Sequence, residues 1–152
     1  MTPFILPLRG VQALFSIIVL GLTAYLVDDA RHWWWSSPDS VDFLLFTSVW
    51  TLLVVAYLVL VPSRFPQFAH KYAILAVEAV TMIFWFAGWV AVAALWGDTR
   101  CRHSTWCSCG IAAIIFGALT WLTFVATTVF AGLHVRRTAR SDTAPPPQMQ
   151  GV

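Results

Sequence analysis

Glu78 is the single charge in an apolar run covering about 72–96. A carboxyl in such a run can tie helices together through buried hydrogen bonds, or it can pass protons or ions across a low-dielectric layer. An ionisable group inside a membrane helix costs about 2.5–3.5 kcal/mol on insertion scales, so it must face other helices or water. Glu78 lies seven residues beyond Lys71, about 10 Å along a helix. The same distance inward from Arg9 reaches Ser16, with Gln12 a turn shallower. Inward from Arg136 it reaches Val129, beside Thr127 and Thr128. Glu78, Gln12 or Ser16, and Thr127 or Thr128 are therefore expected at one depth, as an intramembrane polar cluster that fixes helix packing. Burial disfavours the charged form, so Glu78 is expected to be protonated there. The competing use of the same residues is a proton or ion relay in a small transporter or channel subunit.

A second group with chemistry is Cys101, His103, Cys107 and Cys109. Three cysteines are too few for a disulfide scaffold, and an odd count leaves one thiol free or shared with another chain. If the segment is not cytoplasmic, a disulfide from Cys101 to Cys107 or Cys109 is favoured. Zinc is the alternative, although this spacing follows no common zinc pattern and the Cys-x-Cys pair crowds a tetrahedral site. Free thiols are the third possibility. His70 and His134 flank one membrane face, while His32 and His103 fall in the loops of the other. A di-haem carrier needs paired axial ligands inside the bundle, and these histidines sit at or beyond the span ends. No phosphate-binding glycine loop, Ser-His-Asp triad or metalloprotease helix is present, so no catalytic residue, cofactor or metal is expected.

The elements that must position these residues follow from composition. Of 152 residues, 59% are hydrophobic, 15% aromatic and 11% charged, and the net charge is +2. With a mean hydropathy of +0.75, too few charged side chains are present to cover a soluble domain. The small net charge gives no reason to expect nucleic acid as a partner. Four charge-poor stretches, about 8–27, 43–61, 72–96 and 110–135, are each long enough to cross a hydrocarbon layer of about 30 Å. Strands of a membrane barrel would be about ten residues long and alternate in polarity. Backbone groups in hydrocarbon must bond one another, so the expected fold is all-α, an integral membrane four-helix transmembrane bundle. The first stretch is longer than a signal-peptide core and ends in Asp28-Asp29, which reads as an uncleaved span.

Basic residues near span ends set orientation. Arg9, Arg64, Lys71, Arg136, Arg137 and Arg140 fall on the side of both termini, against Arg31, Arg100 and Arg102 on the other. Cytoplasmic termini are expected. Trp33, Trp34, Trp35, Trp96 and Trp106 then gather at the outer interface as anchors. The segment 138–152, with Pro145-Pro146-Pro147, reads as a disordered cytoplasmic tail. Arg136, Arg137 and Arg140 flank the last span as a stop-transfer signal, with anionic-lipid contact as the sharper reading. In that last span Gly110, Ala113, Gly117, Thr120, Thr127 and Ala131 form a small or weakly polar stripe, opposite Ile115, Leu119, Leu122 and Phe130. Together with Gly88 in the third span, such a stripe suits close helix packing within the monomer or in a homo-oligomer.

Several segments together resemble MARVEL-domain tetraspan proteins, and the likeness is closest to small fungal members. They are Leu8-Arg9-Gly10-Val11-Gln12, Val49-Trp50-Thr51, and Glu78-Ala79-Val80-Thr81-Met82-Ile83-Phe84-Trp85-Phe86-Ala87-Gly88. The stretch 65–75, Ala126-Thr127-Thr128 and the cysteines between spans three and four fit as well. Claudin-like tetraspans match less well, because they pair cysteines in the first outer loop, which has none here. The resemblance covers about 8–135. It implies cytoplasmic termini, no enzymatic activity, and a role in membrane apposition, vesicle trafficking or sterol- and sphingolipid-rich domains. The implied partners are membrane lipids and other membrane proteins, at the plasma membrane or on secretory-pathway vesicles.

Overall fold

The computed structural model describes residues 5–34, 37–65, 70–98 and 104–143. Four helices account for nearly all of them: α1 (Ile5–Trp34), α2 (Asp39–Arg64), α3 (Lys71–Asp98) and α4 (Thr105–Thr143). Each contains a window apolar enough to cross a membrane. Helix packing joins α1 to α2, α2 to α3, α3 to α4 and α4 back to α1, while among the described residues no backbones come together along either diagonal. The result is a four-cornered, up-down-up-down bundle.

The helices overrun the expected spans. α1 continues through Asp28, Asp29, Arg31 and His32, and α4 continues through Arg136, Arg137 and Arg140 to Thr143. At 1.5 Å per residue α4 is about 58 Å long, well beyond the hydrocarbon thickness. Six residues of the segment read as a disordered tail, 138–143, are therefore helical. Hydropathy marks where a chain leaves lipid, but a helix stops only where its hydrogen bonding stops.

Helix starts are locally determined. Ser104 caps α4, its Oγ accepting the Cys107 amide at 3.3 Å in the usual N-cap manner. Asp39 and Asp42 occupy the first turn of α2, where the helix dipole favours carboxylates. Pro62 lies in the last turn of α2, where it lacks the amide that would bond the carbonyl four residues back and so weakens the helix near its end.

The inward faces share one rhythm. Buried positions recur as 9, 12, 16, 19, 23, 26 and 30 on α1, and as 110, 113, 117, 120, 124 and 127 on α4. Alternating steps of three and four are the spacing of a coiled-coil-like seam. These seams are rich in hydroxyls: Ser16, Thr23, Thr47, Ser48, Thr51, Thr81 and Thr120 are fully buried. Each donates to the carbonyl four residues earlier on its own helix, so burial strands none of these O–H groups. Outward faces carry Leu14, Ile17, Leu53, Ile83, Ile115 and Leu122, each more than half exposed.

Close approach is built from small residues. A Cβ on Gly110 would occupy the Trp96 ring, and one on Gly117 would lie 3.1 Å from the Trp89 Cβ. At Gly88 it would meet the flexible end of Leu44 at 2.8 Å. Ala113 is fully buried on the same α4 face. Trp96, expected as an interfacial anchor, is instead only 6% exposed. It stacks on Trp106 with ring centroids 4.5 Å apart, and its indole N–H donates to the Cys107 carbonyl at 3.3 Å.

Candidate functional site

At the end of the bundle that carries the start of α3 and the last turns of α4, four polar side chains from three helices meet. Glu78 is completely buried and Arg9 nearly so. The Arg9 guanidinium pairs with Glu78 Oε1, and its second branch donates to Gln12 Oε1 at 2.9 Å. Thr127 donates its hydroxyl to Glu78 Oε2 at 2.7 Å, and Gln12 Nε2 donates to the Thr127 oxygen at 3.3 Å. The ring of contacts therefore runs Arg9, Gln12, Thr127, Glu78 and back to Arg9.

The geometry gives Glu78 a partner outside the expected cluster, the guanidinium of Arg9. Near a span end Arg9 serves as a topology signal, and here its side chain also enters the bundle. Its helix corner lies diagonally opposite that of α3, and its long side chain bridges the gap. Counting residue depth along each helix missed this, because it located backbones and ignored side-chain reach. The available signal was Arg9 itself, an extra turn inside the helix start at Ile5.

Of the paired alternatives, Gln12 and Thr127 enter the cluster. Ser16 donates back to the Gln12 carbonyl at 2.6 Å, and the hydroxyl of Thr128 is buried without joining the ring. The fourth helix is tied by tryptophans that sequence reasoning did not single out. Trp85 donates to Thr51 Oγ1 at 2.9 Å and Trp50 donates to Thr81 Oγ1 at 3.1 Å. These bonds join α3 to α2.

Chemically, a buried carboxylate with partners on both oxygens is a clamp. The two charges compensate each other and the two neutral members bridge them, and a connected buried polar network of this kind rigidifies a fold. Elsewhere, Cys107 is buried and enters a disulfide, and Cys109 holds a free thiol. Cys101 and His103 lie outside the described residues. His32, His70 and His134 are exposed, away from the cluster.

A search of curated proteins returns no significant match. The family model of the MARVEL membrane-associating domain, by contrast, matches residues 3–130, a stretch that contains the whole polar cluster and the first three helices entire. The chain belongs to the MARVEL family, as a multi-pass membrane protein with a membrane-associating domain of four helices.

Proposed function

We propose that this chain is a non-enzymatic membrane organiser that gathers lipids and other membrane proteins, including vesicle-trafficking components, through lateral contacts of its outer helix faces. The supporting observation is how the bundle divides its chemistry. Its buried polar cluster is engaged internally, with both oxygens of Glu78 occupied by Arg9 and Thr127. Its outer surface presents large apolar side chains on all four helices. A protein arranged this way acts on its surroundings through the surface. The relay reading of Glu78 would need an aqueous route to a side chain that is 0% exposed.

On this reading both termini face the cytoplasm, the chain resides in the plasma membrane or secretory-pathway vesicles, and it favours sterol- or sphingolipid-rich regions, with homo-oligomers among its contacts. Live imaging of the fluorescently tagged full chain tests it: clustered signal that disperses on sterol or sphingolipid depletion is expected. A uniform distribution indifferent to depletion would overturn it. In proteoliposome flux assays Glu78→Gln should change nothing, whereas abolished flux would establish the relay.

A further inference from the structure

The last turns of α4 combine two features at one place. Arg136, Arg137 and Arg140, with Leu133, line an open hollow of about 220 Å³, large beside the roughly 30 Å³ share of one water molecule in the liquid. Leading up to it, Ile115, Leu119, Leu122, Phe130 and Leu133 are each 40–59% exposed. At 3.6 residues per turn these five positions, with 137 and 140, fall within a sector about 80° wide. One face of a single helix is thus apolar for several turns and then abruptly cationic. The change has a fixed depth, because Lys71 at the start of α3 donates to Thr138 at 3.1 Å, setting the hollow level with the end of the neighbouring helix.

We infer that this face seats one anionic phospholipid, with its phosphate among the three guanidinium groups and an acyl chain along the apolar stripe. Guanidinium forks match phosphate oxygens in bidentate fashion. A free phosphate ion would use the hollow and leave the stripe unexplained, so the lipid is the source the geometry favours. Helical continuation of α4 matters here: on a disordered tail the three arginines would share no face. The inference deepens the lateral-contact reading by naming a lipid class and its seat.

The test uses the full chain in phosphatidylcholine nanodiscs with trace spin-labelled phosphatidic acid or phosphatidylcholine, comparing their relative association with the protein surface. Wild type should prefer phosphatidic acid. Arg137→Gln should weaken that preference about fivefold, equivalent to about 1 kcal/mol per basic residue near an anionic surface. Replacing Arg136, Arg137 and Arg140 together by Gln should abolish it, and replacing all three by Lys should keep a preference above that of the Gln variant. Equal preferences in wild type and the triple Gln variant would overturn the inference, as would equal losses in the Lys and Gln variants. Displacement of the labelled lipid by added inorganic phosphate would reassign the hollow to a free anion and also overturn it. Lost headgroup preference with depletion-sensitive clustering intact in cells supports the seat, whereas intact preference with uniform distribution in cells removes the organising role alone.

Discussion

Replacing Arg9 by Met should be the most damaging single change in the polar cluster. The side chain of Glu78 is wholly buried and that of Arg9 is 9% exposed, so removing the cation leaves a carboxylate with no route to water. Stranding one member of a buried pair costs about 3–5 kcal/mol. The reverse change should cost less, for a structural reason. Arg9 lies four residues from the start of α1 at Ile5, and a long stem there can swing its charge to the interface. Glu78→Gln also leaves an oxygen to accept from Thr127, so its cost should be about 1–3 kcal/mol. The double variant Arg9→Met/Glu78→Gln removes both charges and should recover most of the Arg9→Met loss, since no unpaired charge is left buried. Reversible unfolding of the purified chain in mixed micelles titrated with sodium dodecyl sulfate gives the free energies, and the four proteins form a double-mutant cycle. If Arg9→Met came within about 1 kcal/mol of wild type, or if the double variant were as unstable as the sum of the singles, the pair would not be a coupled buried tie.

Glycine substitutions should rank by what each Cβ meets. Gly110→Ala drives into the Trp96 ring and should cost about 1–3 kcal/mol, Gly88→Ala should cost less because only the Leu44 side-chain end must move, and Gly21→Ala, with nothing within 4 Å, should cost nothing measurable; the same micelle titration reads all three. Trp85→Phe removes the donor to Thr51 and leaves a gap at a fully buried site, so a loss of about 1–3 kcal/mol is expected, with tryptophan emission from Trp96 and Trp106 unchanged. Under denaturing, non-reducing conditions the chain should titrate as one thiol, from Cys109, and reduction should expose the remaining cysteines; three thiols before reduction would refute the Cys107 disulfide.

How legible the molecule was depended on which physical quantity each feature obeys. The four spans follow from summed transfer free energy along the chain, so apolar run length located them. The seams were harder to read, because a helix surrounded by lipid has no polar face to contrast with its buried one. Their mark is the recurrence of small and hydroxyl residues at steps of three and four. On α4, Gly110, Ala113, Gly117 and Thr120 displayed it clearly. On α1 and α2 it was hidden among larger side chains such as Leu26 and Leu44, although the buried positions keep the same spacing. Helix ends were misplaced for a related reason: charged residues such as Arg136 and Arg137 leave lipid without leaving the helix.

The amino-acid sequence by itself determined the solvent, the number of crossings and the depth of Glu78, because each depends on residue type and distance along one helix. Tertiary structure alone decided the partner of Glu78. Around the ring α1 and α3 stand at opposite corners, and no linear count reveals that Arg9 reaches across between them. It also decided that Thr127 rather than Thr128 joins the ring and that Trp96 is buried against Gly110 instead of anchored in the interface. Depth is a property of one chain segment, whereas contact requires the rotation of each helix about its axis, and that rotation is set only when all four seams close on one another.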